Sequence, residues 1–317
     1  MAADLPRVLV THIVPDDHLA PLPGKVTLTK GPTDGRMMSR EEVVSHAPLD
    51  AVICGGELRV DAQLLDQLPG VRIIANVAIG IDNFDCDLMA SRGVWATNTP
   101  DAFTESTADA TIGLLLAAAR HITRGDRYVR TGQWERDGFR PVLWEGMLMQ
   151  GKTLGVIGYG KIGQAVEQRA RAFGMQVIHH RRTPGDDAHY RSLDNLLKES
   201  DVVSLHTPLT PDTHHLINAR RLMQMKHGSI LVNMARGKCV DEDALVEALK
   251  SGHLAAAGLD VLENEPKVHP QLLTLENVAL APHVGGSTVD SRRSGRLLSA
   301  ENVWAVLCGQ RPRTPVN

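Results

Sequence analysis

Short apolar runs rich in β-branched residues recur along the first hundred residues: 7–11 (RVLVT), a weaker one at 26–29, then 51–54 (AVIC), 71–76 and 94–97. A helical pattern over 61–68 separates two of them. Runs of this kind, alternating with helical periodicity, predict βαβ units around a parallel sheet. Asn98-Thr99-Pro100 then breaks the pattern. A helix is expected from about Glu105 to His121. It is apolar nearly all round and is therefore predicted to be buried, either as plain core or at a domain or subunit junction. Residues 131–150 show no clear periodicity but hold Trp134, Phe139, Pro141 and Trp144. A long loop with such side chains is expected to be covered by something. Alternation resumes with strands expected near 154–157, 176–179, 202–205, 229–233, 255–259 and 278–281, and one last helix over about 288–307.

Composition agrees with a soluble two-domain α/β chain. There are 317 residues, 43% hydrophobic and 22% charged, and only 3% aromatic, so the cores are aliphatic. A formal net charge of -3 argues against a protein that coats nucleic acid or an anionic membrane. Cys54, Cys86, Cys239 and Cys308 form no CxxC pair, so a reducing cytoplasm is expected rather than a disulfide framework or zinc site. The first residues lack the apolar core of a signal peptide, and the most apolar stretch, 112–119, is too short to span a bilayer.

The strongest chemical signal is Gly158-Tyr159-Gly160-Lys161-Ile162-Gly163, placed after a predicted strand and opening a predicted helix. Gly158 permits a tight turn, Gly160 lets the backbone approach a pyrophosphate, and Gly163 lets helix and strand pack closely. The helix N-terminus supplies free N–H groups and partial positive charge. The alternative is an ordinary glycine-rich turn; the flanking elements favour a dinucleotide site. About 20 residues further on, where NAD sites carry an acidic residue, the strand ends in His179-His180-Arg181-Arg182-Thr183. A guanidinium at Arg181 would bind a 2′-phosphate, so NADP is expected over NAD, with NAD still possible. The bland alternative leaves Arg181 and Arg182 as solvated surface residues.

Three later motifs resemble the D-isomer-specific 2-hydroxyacid dehydrogenases: Val232-Asn233-Met234-Ala235-Arg236-Gly237, Gly258-Leu259-Asp260-Val261 running to Glu265-Pro266, and Pro282-His283-Val284-Gly285-Gly286. A fourth, Val77-Ala78-Ile79-Gly80-Ile81-Asp82-Asn83, also fits. The likeness covers nearly the whole chain and is greatest to the glyoxylate/hydroxypyruvate and 2-ketogluconate reductases. It implies a Rossmann cofactor domain, 99–286, inserted into a flavodoxin-like substrate domain, 1–98 plus 287–317, both doubly wound parallel sheets. It also implies a cleft between them. His283 would be the general acid, with Glu265 favouring its protonated form. Arg236 would hold the substrate carboxylate, and the backbone at Ala78, Ile79 and Gly80 would grip it again. Thr207, Pro208, Thr213, Met234, Ala235, Asp260 and Gly285 would line the cofactor. Asp260 has an equally plain alternative as a turn cap. The loop at 131–150 would form a homodimer, with Trp144 reaching the partner's substrate pocket; the alternative tucks it onto its own domain.

The residue types suit that chemistry. Reduction of a keto acid leaves charge on the carbonyl oxygen, which needs a proton and an electrostatic anchor. Histidine ionises near neutrality, and arginine binds carboxylates through two hydrogen bonds. The pairs His179-His180 and His214-His215 are read as surface residues, because adjacent side chains do not face each other on a helix or strand, and no metal site is expected.

Other readings stay open. Phosphoglycerate dehydrogenase-like enzymes often carry a further C-terminal domain, for which this chain leaves no room. Formate dehydrogenase-like enzymes have Gln where Glu265 stands. Phosphite dehydrogenase-like enzymes have Lys where Ile79 stands. A non-catalytic dinucleotide-sensing protein, as among the family's co-repressors, would keep the same scaffold.

Overall fold

The fold is seen in a computed structural model that describes residues 4–185 and 187–317. The chain divides into two compact units, Met1–Phe103 with Ser287–Asn317, and Thr104–Gly286.

The first unit begins with β1 (Arg7–Val10), β2 (Thr27–Lys30), α1 (Arg40–Ser45) and β3 (Ala51–Cys54). It continues with α2 (Ala62–Gln67), β4 (Ile73–Asn76), α3 (Cys86–Ser91) and β5 (Trp95–Thr97). The strands form one parallel sheet in the order β2-β1-β3-β4-β5. Side chains alternate between its faces, so each face has its own core. Leu9, Val52, Ile74 and Ala96 pack on one side; Val8, Val10, Ile53, Ile73 and Ala75 pack on the other. Burial on both faces is why β3 and most of β4 read as apolar runs, whereas β2, at the edge of the sheet, is TLTK and exposed at Thr27 and Leu28. Two short helices escaped the sequence reading. α1 starts at a capping box between Ser39 and Glu42, and Asp85 caps α3 through the N–H of Leu88.

The second unit opens with α4 (Thr104–Ala119), α5 (Ile122–Arg130) and α6 (Gln133–Asp137). Next come β6 (Thr153–Ile157), α7 (Lys161–Ala172), β7 (Gln176–His180), α8 (Leu193–Glu199) and β8 (Val202–Leu205). It ends with α9 (Ala219–Gln224), β9 (Ser229–Asn233), α10 (Glu242–Lys250), β10 (Leu254–Leu259) and β11 (Val278–Leu280). All six strands are parallel, in the order β11-β10-β9-β8-β6-β7. From β6 the chain goes to β7 on one side and then to β8 on the other. That reversal opens a crevice beyond the carboxyl ends of β6 and β8, where open α/β sheets bind ligands. α4 packs within this unit, against α7 and β10. The last helix, α11 (Val289–Leu307), belongs to the first unit and packs against β3, β4 and β5.

Two local expectations need correction. The stretch 131–150 is not a featureless loop: it holds α6 and a 3-10 turn, Pro141–Trp144. The preceding helix stops at Ala119 because His121 adopts a left-handed backbone, φ 55°, from which α5 starts anew. The histidine pairs also differ from expectation. His179 is buried, only 2% exposed, because β7 points it into the unit, where it stacks on Tyr159 with ring centres 3.6 Å apart. His214 and His215 do face each other, with ring centres at 4.2 Å. They lie in a turn where His215 has φ 46°, so the rule for helices and strands does not apply to them.

Candidate active site

The glycine turn sits at the β6/β8 crevice. Gly158 has φ 94°, and a Cβ there would lie 2.6 Å from the backbone of His206, just past β8. A Cβ on Gly163 would lie 2.5 Å from the Gly158 carbonyl oxygen. No side chain fits at either position, while the space beside Gly160 is open. This is the shape a pyrophosphate cradle requires, and α7 begins at Lys161 with its N–H groups available to it. The dinucleotide therefore fits the residues present.

At the end of β7, Arg181, Arg182 and Thr183 are exposed, as a 2′-phosphate site would need. Arg181 is not solitary, however. The carboxylate of Asp187 lies 3.8 Å from its guanidinium and 3.4 Å from His179. An acidic residue thus reaches the strand end from the following loop, which spacing along the chain did not reveal. Across the crevice, Thr207 lies beside Cys239, 3.9 Å from its sulfur. Thr213 ties the next turn together, donating to the Pro208 carbonyl at 2.7 Å and accepting from the Thr210 N–H at 2.7 Å. Met234 and Ala235 are buried after β9.

Arg236, Glu265 and His283 leave the ends of β9, β10 and β11, three neighbours in the same sheet. Nδ1 of His283 donates to Oε2 of Glu265 at 2.8 Å, and the Leu262 N–H donates to Oε1 at 2.8 Å. That hydrogen bond raises the pKa of His283 against the opposing effect of burial. Burial would by itself raise the Glu265 carboxyl, but the bonds from His283 and Leu262 outweigh it and hold it below the usual carboxylate range. The Arg236 charge acts on both groups. Gly237 explains the proximity of the first two turns: a Cβ there would stand 1.9 Å from the Leu262 carbonyl carbon. His283 has φ 53°, a strained conformation for a non-glycine residue. Its N–H donates to the Asp260 carbonyl at 2.8 Å. The Asp260 carboxylate accepts the N–H groups of Val284 and Gly285 at 2.8 and 2.9 Å. Asp260 thus has the geometry of the turn-cap alternative, and it fixes the loop that carries His283.

In the first unit, the backbone after β4 is set by its carbonyls. Thr99 donates to the Ala78 carbonyl from N–H and hydroxyl, Asn98 to that of Ile79 at 2.8 Å, and Asn76 to that of Gly80 at 2.9 Å. In a trans peptide the N–H points opposite the preceding carbonyl, so the amides of Ile79 and Gly80 are aimed away from these anchors. Asn98 and Thr99, expected only as chain-breakers, are anchors for this backbone; polar side chains next to a predicted strand end are the signal the sequence offers for them.

Trp144 is half-buried in its own unit, edge-on to Tyr128 with ring centres at 5.0 Å and with Arg124 5.1 Å from its ring. Phe139 and Val142 remain about three-quarters exposed. The side chains of His214, His215 and Glu263 place one ligand atom each within 4.8 Å of the others, and His215 pairs with Glu263 at 2.8 Å.

Comparison with known proteins agrees with this fold. A model of the D-isomer specific 2-hydroxyacid dehydrogenase NAD binding domain matches residues 112–285. A glyoxylate reductase of Pyrococcus furiosus is 41% identical, over 98% of this chain and 95% of its own. Among solved structures, a Thermus thermophilus protein superposes with a TM-score of 0.91 at 43% identity, covering 98% of this chain and all of its own. An NADPH-dependent glyoxylate/hydroxypyruvate reductase of Sinorhizobium meliloti, solved with NADP and malonate, gives 0.86 at 35% identity, covering 98% and 96%. The chain belongs to the D-isomer-specific 2-hydroxyacid dehydrogenase family and is an NAD(P)-dependent oxidoreductase built on two parallel sheets.

Proposed function

We infer that the protein reduces a small 2-keto acid to the D-2-hydroxy acid with NADPH, glyoxylate, hydroxypyruvate and 2-ketogluconate being the candidate substrates. The observation that carries the reading is the 2.8 Å bond between His283 and Glu265, on neighbouring strand ends with Arg236. The relatives named above support the substrate class.

Gly158, Gly160 and Gly163 hold the pyrophosphate, with Tyr159, Lys161 and Ile162 around it. Arg181, with Arg182 and Thr183, takes the 2′-phosphate. Thr207, Pro208, Thr213, Met234, Ala235 and Gly285 line the rest. When bound, the nicotinamide supplies the hydride. The chain supplies the rest. Arg236 binds the substrate carboxylate and polarises the keto oxygen, and the Ile79 and Gly80 amides bind the carboxylate again. His283, whose protonated form is favoured because Glu265 accepts from Nδ1, delivers its Nε2 proton to the developing alkoxide; in oxidation the neutral ring takes it back. We further infer an inserted cofactor domain, a cytoplasmic homodimer formed through 131–150, and Trp144 near the partner's substrate.

The test is turnover of those three keto acids and pyruvate with NADPH and with NADH, for the wild type and for His283→Ala. The substitution should lower kcat by about 10²- to 10⁴-fold while NADPH binding stays within a few-fold, since the proton is needed only at the chemical step. Near-wild-type turnover would remove His283 as the acid. No turnover of any keto acid by the wild type would favour the dinucleotide-sensing alternative.

A further inference from the structure

The first unit holds a concentration of positive charge that the reaction above does not use. Its strand order also reverses: from β1 the chain goes to β2 on one side and to β3 on the other. The crevice beyond the carboxyl ends of β1 and β3 is thus a second topological switch point, the place where flavodoxin-like sheets bind ligands. Thr11 and His12 follow β1 directly into it and are both buried. The loop after β2 closes over them at Gly31, where a Cβ would lie 2.6 Å from His12 Cα.

α11 faces this place with two arginines, Arg292 and Arg296, one turn apart. Both act electrostatically on His12. Nη1 of Arg296 donates to Nδ1 of His18 at 3.1 Å, which makes that nitrogen an acceptor and joins α11 to the segment after β1. Arg292 donates to the Ser287 hydroxyl at 2.8 Å. A carboxylate in this neighbourhood, Asp17, is exposed, pairs with Arg293 at 3.5 Å and lies 3.9 Å from the far side of the His18 ring. Among the described residues, three buried polar atoms here make no hydrogen bond: Oγ1 of Thr11, Nδ1 of His12 and Nε of Arg296.

This arrangement is costly for a merely structural cluster. Like charges at i and i+4 on a helix repel. A desolvated guanidinium without a carboxylate is unfavourable, as are buried polar atoms left unpaired. Burial, with the two arginines, also holds His12 down at about 4, so the ring is neutral near neutrality and adds no further positive charge. An incoming anion would relieve all of these at once.

We propose that Thr11, His12, Arg292 and Arg296 form a second anion-binding site at the β1/β3 switch point of the first unit, taking a carboxylate or phosphate group. Two sources could supply that group. One is the far end of the substrate itself. β1 and β4 are separated only by β3, so this site and the Ile79–Gly80 amides lie on one sheet edge, two strand spacings or about 10 Å apart. A five- or six-carbon 2-keto acid with a second acidic group is of that order of length. This version rests on the function proposed above. The other source is a free anion acting as an effector.

The experiment titrates the full chain with inorganic phosphate by calorimetry. It also compares kcat/KM for 2-oxoglutarate and 2-oxopentanoate, which have equal chain length and differ in the distal carboxylate. Both measurements use the wild type, R296M and R296K. Phosphate binding that weakens about tenfold or more in R296M, and much less in R296K, is the expected result, as removal of a charge-assisted pair requires. Retention by R296K separates a lost charge from a misfolded helix. If the substrate is the source, the wild type prefers 2-oxoglutarate, phosphate competes with it, and R296M loses that preference. If a free anion is the source, phosphate binding depends on Arg296 while the ranking of the two acids does not. Equal phosphate binding in wild type and R296M, or no binding together with an unchanged ranking, overturns the proposal. Should no keto acid be turned over while phosphate still binds through Arg296, the proposed reaction fails and the anion site stands.

Discussion

His283 is held with φ 53° by its N–H bond to Asp260 and by the Asp260 carboxylate on the next two amides. Such a conformation costs about 1–3 kcal/mol and persists only where its surroundings determine it. The return is a ring whose Nδ1 is fixed on Glu265. Because that bond raises the His283 pKa, the acid form persists to higher pH than in a free histidine. The rate of keto-acid reduction should therefore fall as pH rises through the raised value, and oxidation should show the opposite limb. Glu265→Gln removes the charge, so the fall in kcat for reduction should move to lower pH. A pH profile with an unmoved midpoint would break the link between the two residues. At the cofactor end, Asp187 lies 3.8 Å from Arg181, so on the NADPH reading proposed above it would compete with an incoming 2′-phosphate. Arg181→Asp should cut kcat/KM for NADPH by about tenfold or more. Asp187→Asn should lower KM for NADPH and leave NADH little changed. If both variants keep the wild-type NADPH parameters, Arg181 does not read the phosphate.

Elements meet in this protein through glycines as much as through apolar side chains. Gly237 lets the turn after β9 touch the backbone at Leu262 and Glu263, which fixes where Glu265 can sit. Gly237→Ala should cost about 1–3 kcal/mol by overpacking and lower kcat as well. Gly252, φ 74° with open space around it, is the control: Gly252→Ala should lower the thermal midpoint through backbone strain alone and keep kcat. Calorimetry with initial rates tests both. Loss of stability without loss of activity in Gly237→Ala would separate the turn contact from the positioning of Glu265. The same scale accounts for the helices that the sequence reading overlooked. α1 and α3 bury a single side chain each, Val43 and Met89, where the equally short α2 buries Leu64 and Leu65, so they show little apolar pattern and mainly their caps mark them.

At the scale of the whole molecule, the segment 122–148 leaves Ile122, Val129, Trp134, Phe139, Val142 and Leu148 exposed. Burying such side chains stabilises by about 1.5–3 kcal/mol each, which favours a second copy as the cover. Light scattering at micromolar concentration should give the mass of a dimer; a monomer would defeat that inference. Trp144 already packs on Tyr128 within one chain. A Trp144→Ala dimer that keeps the wild-type substrate ranking would confine Trp144 to that structural role. Among the described residues no helix is long and apolar enough to cross a membrane.

The pattern of apolar runs in the sequence by itself determined the parallel sheets, because a strand buried on both faces must be largely apolar, as Ala51–Cys54 is and as β4 is up to Asn76. The glycine spacing between a predicted strand and a predicted helix marked the turn, but the close approach of His206 behind Gly158 belongs to the fold. The motif order, through its family resemblance, marked Arg236, Glu265 and His283, but only the parallel pairing of β9, β10 and β11 set their strand ends side by side. The remaining features were decided by tertiary structure. Asp187 reaches Arg181, His179 stacks under Tyr159, and His214 faces His215. Arg292 and Arg296 come to His12 from about 280 residues further along the chain. No local pattern records such meetings, because their energies belong to pairs that only the folded sheet and its returning helix bring together.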